Sequence, residues 1–106
     1  MIVSERTMHL LEDAIPVFSV LADKTRQEIL LNLFDNGEQT VSEITGRLKL
    51  TQPAVSYHLK LLMGAKLVNA DKRGRERYYT VRFDDSVALL DALLTSLKSD
   101  AKQIDD

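Results

Sequence analysis

Cysteine is missing from this sequence and histidine occurs only twice. Without thiols, disulfide staples, thiolate metal sites and thiol redox sensing are all excluded. Glycine and proline are scarce, four and two residues, and no glycines group into a loop that could cradle a phosphate. No nucleophile can be paired with a base, and His9 and His58 have no reason to converge, so an enzyme is not expected. Long apolar runs are missing too: "VALLDALLTSL" is too short to span a bilayer and is interrupted by Asp91. No charged-then-apolar leader opens the chain. The expectation is a soluble cytoplasmic protein with no cofactor and no membrane partner.

What is present is a segregation of charge. The net charge is −2, but residues 1–48 hold four basic and eight acidic side chains, and residues 83–106 hold two and six. Between them, residues 49–82 carry eight cations against Asp71 and Glu76, a local net charge of +6. Phosphate attraction acts within about 8 Å at physiological salt, so this local excess matters more than the total. At 106 residues the chain suits one domain, large enough for a core but small enough that a spare apolar face calls for a partner.

The pieces are short and punctuated. Met8, Leu11 and Ile15 make a first helical stripe, Pro16 predicts a break or kink, and "PVFSVLA" reads as a second short helix. Asp23 caps a helix through "KTRQEILLNLFD", with Ile29, Leu30, Leu33 and Phe34 as its buried side and Gly37 as its stop. Ser42 is the expected cap of "EITGRL", with Glu43 in its first turn, and Thr51 the cap of the next helix, which tolerates Pro53 near its start. "LVNADKRGRERYYTVRF" reads as a β-hairpin turning at Gly74. Asp84 or Asp85 caps a last helix, "SVALLDALLTSLK". The domain is expected to occupy residues 1–98, with 99–106 a polar tail that frays. The fold class is therefore mainly α with a small β-hairpin.

"TVSEITGRLKLTQPAVSYHLKLL" holds two amphipathic segments separated by a three-residue link, the pattern of a helix-turn-helix. At 100° per residue Val55, Leu59 and Leu62 share one face, while Ser56, Tyr57 and Lys60 point the other way. Thr51, Gln52, Ser56 and Tyr57 are candidates for base or phosphate contact, since amide and hydroxyl groups read base edges. Lys60 and the hairpin cations Lys72, Arg73, Arg75 and Arg77 suit phosphates, and Arg82 lies off that surface. His58, at the flank of the packed face, suits a hydrogen bond to backbone or phosphate; His9 suits a dimer edge or solvent. Asp23 and Arg26 read as a cap and a surface charge.

The runs "LADKTRQEILLNL", "TVSEITGRLKLTQPAVSYHLKLLMGAKLV" and "DKRGRERYYTV" together resemble the ArsR/SmtB family of bacterial winged-helix repressors over roughly residues 18–97, with Lys24 where members often carry proline. The resemblance implies a homodimer paired through its first and last helices. That dimer would sit on operator DNA at an imperfect inverted repeat and leave when an inducer binds. The residues agree: Leu90, Leu93, Leu94 and Leu97, with Val87 before them, and Met8, Leu11 and Ile15 offer apolar stripes at the two ends of the chain.

The family's arsenic, cadmium, lead and persulfide sensors use cysteines, which are absent here. The positions of its zinc and cobalt ligands fall on Asp84, Ser86, Leu97 and Asp100, a set with neither imidazole nor thiolate. No metal site is expected, and the inducer is then a small molecule, a proton change or a protein partner. The alternative function is a winged-helix module that binds another protein; eight cations in 34 residues favour DNA.

Overall fold

The computed structural model describes residues 3–105. Its elements run α1 (Glu5–Leu21), α2 (Lys24–Asn36), α3 (Val41–Leu48), α4 (Gln52–Gly64), β1 (Val68–Arg73), β2 (Glu76–Val81) and α5 (Asp84–Asp105). The core is assembled from Ile29 and Leu33 of α2, Ile44 of α3, Val55, Leu59 and Leu62 of α4, and Leu67, Val68 and Tyr79 at the hairpin. Val17 and Val20 of α1 close it on one side. α1 and α5 lie antiparallel, Ser4 and Thr7 at the start of one meeting Asp100 near the end of the other. With this helix pair the molecule is elongated, 57 × 25 × 20 Å.

α1 does not break at Pro16. One helix runs from its Ser4 cap to Leu21. Proline leaves the Glu12 carbonyl without its helical donor, but Thr7, Ala14, Val17 and Val20 form a buried face that continues on both sides of it. Burial of that face against α5 and the core holds the helix together where local propensity would end it. The Met8, Leu11 and Ile15 stripe lies outside the buried face and is exposed.

α2 begins and ends as the sequence implies. Asp23 Oδ2 accepts from Arg26 N–H at 3.0 Å, and Gly37 stops the helix at φ +76° with its N–H on the Leu33 carbonyl. Phe34, however, is 62% exposed, because the inward face is centred on Ile29, Leu30 and Leu33; its ring instead meets Phe83, centroids 6.0 Å apart.

α3 starts two residues earlier than expected. Thr40, not Ser42, is the cap, and with Glu43 it forms a reciprocal capping box: Glu43 N–H donates to Thr40 Oγ1 at 3.2 Å and Thr40 N–H to Glu43 Oε1 at 3.1 Å. Lys49 takes a left-handed conformation, φ 56°, to close the helix and turn the chain into Thr51, whose hydroxyl accepts from Ala54 N–H. The hairpin pairs Val68 with Val81 through Arg73 with Glu76, turning at Gly74, φ +63°.

α5 starts with Val87 N–H on the Phe83 carbonyl, so Asp84 and Asp85 occupy its first turn rather than capping it. It continues through the residues expected to fray, as far as Asp105. The reason lies at Asp100, which is buried. Its Oδ2 accepts from Ser4 N–H at 3.0 Å and from Thr7 Oγ1 at 2.7 Å, and Thr7 Oγ1 also pairs with Ser96 Oγ. The Ser4 backbone bond first, then the Thr7 hydroxyl, hold the Asp100 carboxyl below the usual carboxylate range.

Candidate nucleic-acid interface

α4 is clamped into the fold by three fully buried side chains, Val55, Leu59 and Leu62, which turns Gln52, Ser56, Tyr57 and Lys60 outward. Facing Gln52, Ser56 and Lys60 across a concavity of about 680 Å³ are Arg75 and Arg77 of the hairpin. The space therefore brings together Gln52, Ser56, Lys60, Arg75 and Arg77 from two elements of the chain. Thr51 stands at the exposed start of α4 with its hydroxyl engaged as the cap, and Lys72 is exposed on β1. Tyr57 is exposed on the flank of α4 away from this concavity, beside a second groove between α1 and α4.

The hairpin is held against the helix-turn-helix by a residue that local spacing does not flag. Gln39, just before α3, exchanges both backbone hydrogen bonds with Tyr79 of β2, at 2.8 and 3.1 Å. Its side chain is 1% exposed and its amide is satisfied by Asn32 and the Gly37 carbonyl. The hairpin is thereby tied through Gln39 to α2 and to the start of α3. Ser42, displaced from its expected cap, lies 3.4 Å by its Oγ from Gln52 Nε2.

Two residues expected on the phosphates or bases have intramolecular partners. Arg73 pairs with Glu38 and, at 3.0 Å, with Asp71, and its guanidinium lies 4.3 Å above the Tyr78 ring. The Glu38 bond first, then Asp71, raises its pKa, and these contacts tie the turn end of the hairpin to the segment before α3. His58 is half-buried and its Nδ1 lies 3.3 Å from Arg26 Nη1 rather than from backbone. Arg26, read as a surface charge, also donates from Nε to the Val20 carbonyl at 2.8 Å. Arg82 pairs with Asp85 at 3.1 Å, and His9 is exposed on α1.

Of the residues expected at a dimer interface, Met8, Leu11, Ile15, Leu94 and Leu97 are exposed and Leu90 is half-buried. Leu93 differs: at 5% exposure it is already buried within the chain. The candidate zinc positions do not fit a metal. Leu97 offers no donor, Asp100 is buried with its Oδ2 bonded by Ser4 and Thr7, and Ser86 is buried. Among the described residues no helix is long and apolar enough to cross a membrane.

The sequence pattern described as "Bacterial regulatory protein, arsR family" matches residues 23–70. The chain is 36% identical over 73 residues to the arsenical resistance operon repressor of Bacillus subtilis, covering 69% of this chain and 70% of that one. It is 35% identical over 80 residues to the transcriptional activator HlyU of Vibrio cholerae, covering 76% and 73%. The structure of that HlyU superposes with a TM-score of 0.64 over 77% of this chain and 88% of the other, at 34% identity. NolR from Sinorhizobium fredii superposes with a TM-score of 0.69 over 85% and 89%, at 29% identity. The chain spans 34% of the length of another relative, the Bacillus subtilis HTH-type regulator YdfF, to which it is 33% identical over 78 residues.

Proposed function

The chain belongs to the ArsR family of bacterial regulatory proteins, and from that premise we propose that it is a cytoplasmic repressor which binds promoter DNA as a homodimer and is released by a signal other than a metal. The observation that carries this reading is the concavity between α4 and the wing, where Gln52, Ser56, Lys60, Arg75 and Arg77 converge on one face of an otherwise acidic chain. Gln52 and Ser56, in the first half of α4, read base edges in the major groove. Lys60, Lys72, Arg75 and Arg77 neutralise phosphates, with Thr51 and Tyr57 at the margin of the contact. Arg73 and His58 act from behind, holding the wing and the helix.

The operator is an imperfect inverted repeat whose half-sites lie about 34 Å apart, the spacing that a two-fold pair of recognition helices requires. The exposed side chains of Met8, Leu11, Ile15, Phe18, Leu94 and Leu97 on the α1–α5 pair support dimerisation there. Pairing them across a two-fold axis removes apolar surface from water at about 25 cal/mol per Å². The relative named an arsenical repressor supports repression, while the one named an activator makes the direction of control a property to measure. With no cysteine in the chain and Asp100 engaged in hydrogen bonds, the trigger is a small molecule, a proton change or a partner protein.

The test is fluorescence anisotropy on the chain's own upstream promoter fragment against a shuffled duplex, with EDTA, zinc or arsenite added. Tight, selective binding indifferent to all three supports the proposal. Release by zinc or arsenite overturns the non-metal trigger, and equal weak binding to promoter-derived and shuffled DNA across a set of genomic fragments overturns sequence-specific regulation.

A further inference from the structure

Arg26 reaches three separate parts of the fold. Its backbone N–H is taken by Asp23 at the α2 cap, its Nε donates to the Val20 carbonyl at 2.8 Å, and its Nη1 lies 3.3 Å from His58 Nδ1 on α4. Val20 is in the last turn of α1, where carbonyls have no donor within the helix. A guanidinium only donates, so His58 Nδ1 must be the acceptor and the imidazole proton must sit on Nε2. His58 follows Ser56 by two residues, and its ring packs edge-on against Tyr57, centroids 5.3 Å apart. Between α1 and α4 themselves lies a groove of about 470 Å³, bordered by Val20, Tyr57 and Lys60. Val17 and Val20 share the core with Val55, Leu59 and Leu62, and Arg26 adds to that apolar packing a polar link from the last turn of α1 to α4.

We infer that Arg26 is a positioning residue for DNA recognition: through His58 it fixes the setting of α4 relative to the end of α1 without touching DNA. This rests on the DNA-binding reading above. α1 carries the exposed apolar face that a second copy would cover, so Arg26 makes the recognition helix answer to the state of that face. The acceptor must be at the δ position of residue 58, and an asparagine there, with its Oδ1, can take the imidazole's place whereas leucine cannot.

The experiment compares Arg26→Met, His58→Leu, their double variant and His58→Asn for affinity to operator and to shuffled DNA, alongside long-range ¹H–¹⁵N spectra of the free protein. Arg26→Met and His58→Leu should each weaken operator binding about tenfold, the scale of one hydrogen bond to a charged group. The double variant should be no weaker than either single, and His58→Asn should stay near wild type. Additive losses, or His58→Asn as weak as His58→Leu, overturn the inference. The spectra should show His58 as the Nε2–H tautomer, identified by its loss in His58→Asn, and a mixture of tautomers in Arg26→Met. An Nδ1–H tautomer in the wild type overturns the link regardless of DNA. The expected tautomer in a wild type that does not discriminate between the duplexes overturns the DNA reading instead, and the positioning role with it.

Discussion

At the scale of single residues, the proposed contact with DNA would separate groups on α4 that carry sequence information from groups that carry charge. Gln52→Ala or Ser56→Ala should cost about 1–3 kcal/mol on the cognate site and little on shuffled DNA, measured by anisotropy. Equal losses on both duplexes would remove them from base readout. Arg75→Ala should weaken both duplexes and lower the salt dependence by about one unit of slope. Arg73→Ala should leave that slope nearly unchanged, because its guanidinium is already held by Glu38 and Asp71. The difference between these two arginines was not legible in the sequence, where both are cations flanking Gly74. What separates them is a contact with Glu38, 35 positions away, and no local pattern announces such a pairing. The outward set Gln52, Ser56 and Lys60 was legible, because helical periodicity alone fixes which side of α4 is opposite to Val55, Leu59 and Leu62.

At the scale of elements, termini are governed by side chains whose partners are close in sequence or far from it. Thr40 and Glu43 stand three apart with the chemistry of a capping box, a signal present in the sequence that Ser42, followed at the same distance by Thr45, lacks. Thr40→Ala should destabilise the protein by about 1 kcal/mol, seen as a lower Tm, whereas Ser42→Ala should leave Tm close to wild type. The helical tail and the uninterrupted α1 could not be read locally. Ser4 and Asp100 are 96 positions apart, and Pro16 signals a break that only the packed face formed by Ala14, Val17 and Val20 overrules.

The Asp100 network also sets a pH response. Its folded pKa is depressed below the unfolded value. The contribution to stability is therefore present above the unfolded carboxylate pKa and lost as pH falls through the folded one. Thermal melts between about pH 5 and pH 2 should show this loss in the wild type. Asp100→Asn should be less stable at neutral pH and should flatten that part of the acid profile.

At the scale of the whole molecule, the α1–α5 pair is an internal layer that also exposes apolar side chains, which the proposed dimer would cover, and adjacent leucines report on the two roles separately. Leu94, 52% exposed, faces outward, so Leu94→Asp should give a folded monomer in sedimentation velocity. Leu93 is interior, so Leu93→Asp should lower Tm whatever the state of assembly. A Leu94→Asp protein that sediments as a dimer would move the interface elsewhere. The stripe Leu90, Leu93, Leu94 and Leu97 was legible as apolar, but not which members α1 would claim, since one helix's periodicity does not say which of two neighbours each side chain meets.

The uneven distribution of charge has a consequence before contact is made. Acidic side chains predominate on α1 and α5, while α4 and the wing are basic, so the chain carries a permanent electric dipole despite a net charge of only −2. In the field of a DNA duplex such a dipole feels a torque: the wing is drawn toward the polyanion while the acidic helices are pushed away. Approach is thereby biased toward the productive orientation while the molecules are still separated by solvent, and added salt should slow arrival more than it hastens departure.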